Sequence, residues 1–566
     1  MSGENNNSNS QLIQLSPSTS VGYGIHRLEF YARDRLNNRS DIINSILFTI
    51  AKVFNVKDYG AKGDGITDDT QAIRNTIEQA RQWSISNNNA LTTIYFPAGT
   101  YRTRQLKIHS NMILRGAGIT KTKLFRIVER DSSGNLVNVF MPSNDPSSTY
   151  AGGDTTWFRS FITNYNMLKG QGNRNIGIQD MTINGNGYAF RLDGTENHHN
   201  YLIQFKRTDG IYIDNIRLED SMNWSFSGRE SKNINIGYME IDGNTLRDQG
   251  RVNDRNNQDG VNFHGSQHVY IKRLVVYESY DDSLFIGAAD TDWDSSTQRY
   301  TTPIPAYDIK VDYLEVYRHT GTGGALALCN GLLSGSDLYD VDIKYIKLHN
   351  LAQRGMVSIH AHFYGTGEYG SDGVIHDIHI GTIESIGYSR TNKPLVWITS
   401  RPRELGYTKY ATNRFYNIII DKIVSDYNMS IGSTIRQQGL VIEGINNVVV
   451  GANEFTTKNK SKEGYDIDIR YSTNVSINNV YIQRVEGGGW ALINIQNSQG
   501  ILFDNARIPL AKNGALQGGA ALRIAGSSSK DVTLRYRELR TNTLIEYTAD
   551  VPEANKSTIR IERISS

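Results

Sequence analysis

Three aspartates near the middle of the chain stand where they could carry out acid–base chemistry together. Asp259 directly precedes a short apolar run, 261–263, and the pair Asp281 and Asp282 precedes a second run, 283–286. If the two runs occupy equivalent places on successive coils of a β-solenoid, the three carboxylates gather on one face. Clustered carboxylates facing a groove are the groups that glycosidic bond cleavage requires, and close carboxylates cannot all ionise cheaply, so one keeps a proton near neutral pH.

The chain repeats a nine-residue phrase that would build such a solenoid. Its pattern is polar, apolar, x, apolar, x, x, apolar, x, apolar, which indicates two short strands joined at a bend. The phrase begins at residues 175, 210, 233, 268, 308, 340, 377, 417 and 474, with weaker copies at 447, 500 and 531. A second short strand precedes each phrase, β-branched residues dominate and hairpin signals are sparse. The pattern therefore favours a parallel β-helix with loops of variable length over a helical repeat or a sandwich.

The spacing of the aspartates fits one coil of this repeat. The interval from Asp259 to Asp282 equals the interval between the phrases that begin at 210 and 233, which is the shortest coil that the phrases allow, and Asp281 stands one position earlier. Neighbouring coils lie about 4.8 Å apart, so Asp259 is expected directly beside the pair on the same edge of one sheet. Inverting glycosidases hold their acid and base roughly 6.5–9.5 Å apart, a separation that one coil and side-chain splay can supply.

The N-terminal part of the chain differs from the repeats. Residues 1–17 are rich in Asn and Ser and are expected to be a disordered tail. Residues 18–50 contain two β-like runs, 26–32 and 43–50, and GIHRLEFYARDRLNNRS resembles the closing hairpin of immunoglobulin-like modules, so this part is expected to be the remnant of such a module or a linker. Residues 51–566 are predicted to be the parallel β-helix catalytic domain. Its opening carries a helix with Asp68 or Asp69 as N-cap that runs to about Trp83 and caps the solenoid.

Two segments carry a resemblance to a known superfamily. YGAKGDGITDDTQAI, followed by YFPAGTYR, resembles the opening segment of the pectate-lyase-like right-handed parallel β-helix superfamily, and Asn257-Gln258-Asp259-Gly260 with Asp281-Asp282 resembles the N-x-D-G and D-D motifs of its polygalacturonase-type hydrolases and of related dextranase, isopullulanase and α-1,3-glucanase-like enzymes. The resemblance implies an all-β solenoid and an inverting glycoside hydrolase. It also implies that Asp281 is the general acid and that Asp259 and Asp282 activate the attacking water.

Two departures from the polygalacturonase pattern bear on the substrate. The chain has residues 320–324, Thr-Gly-Thr-Gly-Gly, where those enzymes have Gly-His-Gly, and Ser358-Ile359-His360 where they have Arg-Ile-Lys. Because the Arg/Lys pair binds a uronate carboxylate in the family, we expect a neutral glucan or another bacterial polysaccharide here. The candidate substrate-binding residues on groove strands and loops are Asn257, Trp224, His264, Trp293, His360 and His362, with Trp397 further along.

Asp290, Asp292 and Asp294 alternate like the carboxylates of a calcium loop. The segment lacks the Gly and the Glu that an EF-hand needs at positions 6 and 12, and it lies in an insertion, 289–306, that reads better as a solvated substrate loop. We therefore expect no required cofactor, with calcium as the ion that this spacing would take.

Composition narrows the function classes. The 60 Lys and Arg balance 58 Asp and Glu, which gives no reason to expect nucleic acid as a partner. No apolar run is long enough for membrane insertion, Cys329 excludes an internal disulfide, and the N-terminus carries no signal peptide. We expect a secreted, extracellular monomer, part of a larger secreted protein, that binds a polysaccharide. The alternatives are a lyase or epimerase acting on an acidic glycan, and a phage tailspike depolymerase or adhesin in a virion tail.

Overall fold

The computed structural model describes residues 22–30, 44–130, 132–133, 136–137, 160–167, 172–190, 201–221, 223–243, 259–294, 296, 299–317, 323–331, 333–349, 357–361, 373–387, 394–400, 414–427, 439–458, 465–484 and 491–565. These residues form a right-handed parallel β-helix, the architecture that the repeated phrase and the opening segment predict.

The first part of the chain contains β1 (Gly24–Phe30), β2 (Asn44–Ile50), β3 (Lys52–Asn55), a 3₁₀ turn (Val56–Tyr59), β4 (Asp64–Asp68), α1 (Thr70–Ser86), β5 (Thr92–Phe96), β6 (Gly99–Thr103), β7 (Leu106–Ile108), β8 (Met112–Gly116), β9 (Thr122–Arg126), β10 (Glu129–Arg130) and β11 (Leu136–Val137). The central part contains β12 (Ile162–Asn164), β13 (Asn173–Asn184), α2 (Gly187–Phe190), β14 (Ile203–Lys206), β15 (Thr208–Glu219), β16 (Phe226–Arg229), β17 (Lys232–Asp242), β18 (Val261–His264), β19 (Gln267–Glu278), β20 (Leu284–Gly287), β21 (Ala289–Asp294), β22 (Arg299–Ile304), β23 (Ala306–Val311), β24 (Leu314–Val316), β25 (Leu326–Cys329), β26 (Leu338–His349) and β27 (Val357–His360). The last part contains β28 (Ile375–Gly387), β29 (Val396–Thr399), β30 (Phe415–Tyr427), β31 (Leu440–Glu443), β32 (Asn446–Lys458), β33 (Ile467–Arg470), β34 (Thr473–Asn478), β35 (Val480–Ile482), β36 (Ile493–Gln496), β37 (Gln499–Ile508), β38 (Gln517–Ala525), β39 (Lys530–Leu539), β40 (Thr541–Tyr547), α3 (Glu553–Lys556) and β41 (Ile559–Arg563).

The short strands stack into a sheet of 14 parallel strands, here called the first sheet, in the order β40-β38-β36-β33-β31-β29-β27-β25-β20-β18-β16-β14-β12-β7. Because side chains alternate across a strand, two positions of each short strand face the core and two face outward. One outward row, the Asn262 row, contains Gln204, Ser227, Asn262, Phe285, Ala327, Ser358 and Trp397. The second, the His264 row, contains Lys206, Arg229, His264, Gly287, Cys329, His360 and Thr399.

The nine-residue phrases form the longer strands, and each phrase starts at a left-handed backbone position. All twelve predicted starting residues have positive φ, between 51° and 87°: Asn175, Gly210, Asn233, His268, Asp308, Asp340, Asp377, Asn417, Asn447, Asn474, Gly500 and Asp531. Asn, Asp and Gly are the residues that tolerate this conformation best. The polar first position of the phrase is therefore a backbone requirement: it turns the chain from the first sheet into the next one on every coil.

The apolar positions of the phrase fill the core. In β19, Val269, Ile271, Leu274 and Val276 are all at most 1 % exposed, and the same positions are buried on the coils before and after. Full burial of an aliphatic side chain of this size contributes roughly 1.5–3 kcal/mol. Since every coil supplies the same inward set, the core is one continuous column and it holds each coil in register with its neighbours.

Helix α1 covers the beginning of this column, as predicted, with Asp69 as its N-cap, and it ends at Ser86, slightly beyond the predicted end at Trp83. Its apolar face, which includes Ile73, Ile77 and Ala80, is buried against the core. The Asp69 carboxylate accepts hydrogen bonds from the backbone N–H groups of Lys62 (2.6 Å) and Gly63 (3.0 Å) and so fixes the glycine-containing turn before the helix.

The two β-like runs before residue 51 pair as an antiparallel hairpin, with Gly24 opposite Ile50 and Phe30 opposite Asn44. Its assignment to an immunoglobulin-like module stays a prediction, and the tail at 1–17 lies outside the described residues. Among the described residues, no helix is long and apolar enough to cross a membrane.

The requirement for a left-handed residue at the start of each phrase can be tested at Asn447, whose side chain is exposed and whose φ is 56°. We expect Asn447→Val to destabilise the protein by about 1–2 kcal/mol, because a β-branched side chain disfavours this conformation. Asn447→Gly removes the same side chain but permits the backbone, and it should cost clearly less. Urea denaturation of both variants measures the difference, and equal losses would contradict a backbone requirement.

Candidate functional site

The register of the first sheet places Asp259 beside Asp282. Val261 of β18 pairs with Leu284 of β20, and the pairing continues toward the aspartates because the Gly260 N–H donates to the carbonyl of Asp282 at 2.8 Å. This offset between the two coils is the one that the sequence spacing predicts. Asp281 directly precedes Asp282, so all three acidic residues lie at the same edge of two neighbouring coils.

Asp259 is strongly perturbed by this arrangement. It is 4 % exposed, and one carboxylate oxygen accepts a hydrogen bond of 2.6 Å from Nδ2 of Asn262. Burial raises its pKa well above the usual range, and the neighbouring charges of Asp281 and Asp282 raise it further. The hydrogen bonds from Asn262 and from the backbone N–H of Asp282 oppose that shift without cancelling it. The cluster therefore keeps a proton at a pH where an isolated aspartate would have lost it.

The next coil supports the other two aspartates through glycines. The Gly324 N–H donates to Oδ1 of Asp282 at 2.6 Å. A Cβ on Gly323 would lie 2.4 Å from Oδ1 of Asp281 and 2.5 Å from the Asp282 nitrogen, so only glycine fits at this place without a shift. Asp282 is 7 % exposed, whereas Asp281 is partly open to solvent. Asp281 is thus the carboxyl group of the three that an incoming molecule meets first.

A row of rings runs along the outer face of the first sheet past this cluster. Trp224 stacks on Tyr201 with 4.6 Å between ring centroids and on His264 with 5.6 Å. His264 lies 4.5 Å from the ring of Phe285, and its Nδ1 is 2.6 Å from Oδ1 of Asn262, the residue that also holds Asp259. His264 is therefore connected to Asp259 through Asn262, and Trp224 stacks on His264 beside them.

The other predicted binding residues fall in different places. His360 is only 5 % exposed, with Nε2 3.2 Å from Sγ of Cys329 and Nδ1 3.2 Å from Oγ of Ser358, so it packs beneath the outer face. Trp397 is partly buried and donates from Nε1 to Glu443 at 3.1 Å. Asn257 and His362 lie outside the described residues, as does the side chain of Trp293.

The insertion that contains Asp290, Asp292 and Asp294 is a β-hairpin and not the irregular loop that was expected, although several of its described residues are exposed. Strands β21 and β22 pair antiparallel, with Ala289 opposite Ile304. The Asp290 carboxylate accepts hydrogen bonds from Oγ of Ser336 and from the Leu333 N–H, which ties the hairpin to the body. The side chains of Asp292 and Asp294 lie outside the described set, and within that set no group of three or more His, Cys, Asp or Glu could hold a metal ion.

A recess of about 710 Å³ lies beyond the other end of the short strands, where the first sheet turns into the next one. Arg174, Arg207, Lys232 and Gln267 are among its lining residues, and none of the three aspartates is. The recess is therefore not the site of the three aspartates, which lie at the opposite end of the short strands.

Sequence patterns did not indicate several residues that shape the site. Asn262 lies inside a strand-like run, and Gly323 and Gly324 look like ordinary turn glycines until the register brings them onto the aspartates. Tyr201 stands just before a short strand, at the same offset as Trp224 and Asp259, so a column-by-column alignment of the coils is the signal that could have found it.

A family model matches the part of the chain that carries this geometry. Residues 53–297 match the family model described as rhamnogalacturonase A/epimerase, pectate lyase-like. This segment, which is less than half of the chain, is similar to that family, and it lies within the parallel β-helix. The matched segment includes all three aspartates and the coils on which they stand.

Individual relatives are more distant. An exo-poly-α-D-galacturonosidase from Dickeya chrysanthemi is 23 % identical over 306 residues, which are 46 % of each chain. Alginate lyase 7 from Azotobacter vinelandii is 30 % identical over 141 residues, which are 24 % of this chain and 13 % of the relative. The exopolygalacturonase structure from Thermotoga maritima gives a TM-score of 0.47 at 14 % identity and covers 80 % of this chain and 92 % of that one. The chain thus spans less than half the length of these two curated relatives.

The raised pKa of Asp259 predicts a pH-dependent stability. The native state binds the Asp259 proton more tightly than the unfolded state, so this stabilising contribution is present at acid pH and is lost as the pH rises through the folded-state pKa. Across that range stability should fall by up to about 1.4 kcal/mol per pH unit. Asp259→Asn removes the titration, and it should therefore gain stability relative to the wild type as the pH increases.

Urea denaturation at several pH values measures this difference. Asp504→Asn, a change at a largely exposed carboxylate, serves as the control. Parallel pH profiles for the wild type and Asp259→Asn would contradict a proton held at this site.

Proposed function

We propose that the protein is a polysaccharide hydrolase that cleaves glycosidic bonds with inversion at Asp259, Asp281 and Asp282. The observation that carries the proposal is the convergence of three carboxyl groups at one sheet edge, with the pKa of the deepest one raised by burial and by the other two. A carboxyl cluster that retains a proton near neutral pH can supply both the acid and the base of a glycosidase. The family match over the same coils supports this assignment.

In the proposed reaction Asp281 donates its proton to the glycosidic oxygen as the bond from that oxygen to the anomeric carbon breaks. A water molecule attacks the same carbon from the opposite face and gives its proton to the deeper pair, Asp259 and Asp282. The cluster loses one proton and gains one, so it ends the cycle with its original charge. The step starts from the form of the cluster in which the shared proton lies on Asp281 and the deeper pair is ionised. Partial exposure brings Asp281 within reach of the glycosidic oxygen, and the raised pKa of Asp259 makes its ionised form a stronger base than an ordinary aspartate.

The backbone geometry supports inversion. Asp281 and Asp259 are diagonal neighbours, about 6 Å apart when one combines the strand spacing with the rise per residue, and their side chains can splay to the 6.5–9.5 Å that roughly accommodates a water molecule. The supports from Asn262 and Gly324 fix the deeper pair in advance. Preorganised groups of this kind lower the barrier without reorganisation during the reaction.

We propose that a carbohydrate chain binds along the outer face of the first sheet. We also propose that the protein is extracellular. The row from Tyr201 to Phe285 lies beside the cluster. Tyr201, Trp224 and Phe285 are at most 6 % exposed, so the partly exposed His264 is the ring of this row that a sugar can reach. On the coils after Asp282, the two outward rows carry Ala327, Ser358, Cys329 and His360. These four residues are uncharged and at most 5 % exposed, so they support a neutral sugar unit at that end by offering no charged partner.

Substitution of the aspartates tests the proposal. We expect Asp281→Asn to lower the rate of polysaccharide cleavage by about 100-fold or more, because an amide cannot donate the required proton. Asp259→Asn and Asp282→Asn should lower it to a similar degree, and Asp504→Asn should not change it. Reducing ends released from a panel of α-glucans, galacturonan and bacterial capsules give the rate, and NMR of the first product gives its anomeric configuration.

Undiminished cleavage by Asp281→Asn would reject that residue as the acid. Retention of anomeric configuration would reject the inverting mechanism. Unsaturated products that absorb in the ultraviolet would instead identify a lyase acting on an acidic glycan.

The role of Gly323 gives a second test. A methyl group at this position must push on the Asp281 carboxylate or on the backbone at Asp282, and misplacement of a catalytic group by 1 Å can cost about 100-fold in rate. We therefore expect Gly323→Ala to lose most of the activity while the protein stays folded. Gly22→Ala, where the added methyl would meet nothing within 4 Å, is the matched control, and equal activity of the two variants would show that Gly323 does not position the acid.

A further inference from the structure

Two short hydrogen bonds connect the groove surface to the deepest aspartate. Nδ1 of His264 lies 2.6 Å from Oδ1 of Asn262, and Nδ2 of Asn262 lies 2.6 Å from Oδ2 of Asp259. Asn262 and His264 are the two outward residues of β18, and Asp259 stands just before the same strand. One coil therefore carries the whole connection, from a partly exposed ring to a buried carboxyl group.

The orientation of the Asn262 amide decides which atoms carry hydrogen. An ionised carboxylate only accepts hydrogen bonds, so Nδ2 must face Asp259 and Oδ1 must face His264. Because an amide oxygen is also only an acceptor, Nδ1 of His264 must then carry a hydrogen. If the amide were turned over, Oδ1 would face Asp259, and that contact requires a proton on Oδ2 of Asp259. The tautomer of His264 and the protonation of Asp259 are thus linked through one amide.

Packing keeps this arrangement in place. The His264 ring lies between Trp224 and Phe285, with centroid distances of 5.6 Å and 4.5 Å, so stacking on both sides restricts its rotation. Asn262 is only 1 % exposed, so water does not compete for its amide. With a hydrogen on Nδ1, turning the amide over would set donor against donor at His264 and acceptor against ionised carboxylate at Asp259. Loss of both bonds at a buried position disfavours that state.

This connection bears on where the shared proton of the three aspartates lies. Burial raises the pKa of Asp259, and the charges of Asp281 and Asp282 raise it further, which favours a proton on Asp259. The hydrogen bond from Asn262 acts in the opposite direction, because it stabilises the ionised form. The proposed reaction needs Asp259 ionised and Asp281 protonated, so an amide that always presents its N–H to Asp259 favours the reactive form.

We propose that His264 is a positioning residue: its Nδ1–H holds the Asn262 amide with Nδ2 toward Asp259, so that Asp259 stays ionised as the base and the shared proton remains on Asp281. This inference rests on the proposed hydrolase function. It assigns to His264 an action through Asn262 and not on the substrate itself. The proton balance of the reaction is unchanged, since His264 keeps its Nδ1 hydrogen throughout.

Two substitutions separate the donor from the ring. His264→Phe keeps a ring between Trp224 and Phe285 but removes the N–H, whereas His264→Asn removes the ring and offers Nδ2 on the same atom, Cγ, that carries Nδ1 in histidine. We expect His264→Phe to lower kcat of glycan cleavage by roughly 10- to 100-fold with little change in KM, because the base is no longer held in its reactive form. His264→Asn should recover part of the loss.

Non-additivity tests whether His264 acts through Asn262. Asn262→Ala should itself lower kcat to a similar degree, and adding His264→Phe to it should cost no further activity, since the connection is already broken. His376→Phe is the matched control. The His376 ring is likewise stacked between two rings, those of Tyr339 and Tyr416, at 5.1 Å from each, but it lies on the long strand β28, and its substitution should leave kcat unchanged.

A second measurement does not depend on cleavage. The difference in urea stability between each protein and its Asp259→Asn counterpart, followed against pH, reports the proton on Asp259. That contribution is present at acid pH and is lost as the pH rises through the folded-state pKa. Without a fixed N–H donor the pKa of Asp259 rises further, so the loss should shift to higher pH by about one unit in His264→Phe and should not shift in His376→Phe.

A rise in KM alone, equal losses in His264→Phe and His264→Asn, or a further loss when His264→Phe is added to Asn262→Ala would overturn the positioning role. An Asp259 titration that stays at the same pH in His264→Phe would overturn it as well. Normal cleavage by His264→Phe would reject this inference and leave the hydrolase in place. A shifted titration in a protein that cleaves no glycan would support the connection and reject only the hydrolase.

Discussion

The register between neighbouring coils is the constraint on which the rest of the structure depends. It is set by two features that recur on every coil: an inward set of aliphatic side chains, such as Val269, Ile271, Leu274 and Val276, and a left-handed residue that opens each nine-residue phrase. A slip of one residue would turn the inward set outward and would place a β-branched residue at a left-handed position. Both penalties act together, so the stacking is fixed at each of the twelve phrases and the outward rows follow without further specification.

This fixed stacking makes it feasible to hold three carboxyl groups close together. Mutual repulsion and burial work against Asp259, Asp281 and Asp282, and a flexible loop would relieve the strain by separating them. On the coil edge they cannot separate, because the Gly260 N–H is bound to the Asp282 carbonyl and the Gly324 N–H to the Asp282 carboxylate. The aliphatic core thus supplies the free energy that keeps a destabilising cluster in place.

The fold could be predicted from the sequence because the same short pattern repeats from coil to coil. The phrase pattern, the opening segment and the N-cap at Asp69 each indicated the same architecture, and the spacing of the aspartates, equal to the shortest phrase interval, indicated their stacking. The pattern could not reveal contacts made across coils of different length. Gly323 reaches Asp281 from the following coil, after the long insertion, and Lys206 reaches Glu230 from the preceding one. The hairpin of β21 and β22 was not predicted because its short alternating segment contains a proline and three aspartates, which favour a loop.

The residues of the two outward rows are independent of the residues that hold the coils together. Neither row contributes to the core, so its residues can change without loss of stacking. The positions beside the aspartates are occupied by Asn262 and His264, which connect to Asp259. Positions on other coils make other contacts, such as the ion pair between Lys206 and Glu230. Arg229 and Lys206 carry charge on the two coils before the carboxyl cluster, whereas Ala327 and Ser358 carry none on the coils after it. The outward rows thus differ from coil to coil while the cluster keeps its place. Since each coil advances about 4.8 Å and adds two outward positions of its short strand, this face can change one coil at a time while the inward set of aliphatic residues stays the same.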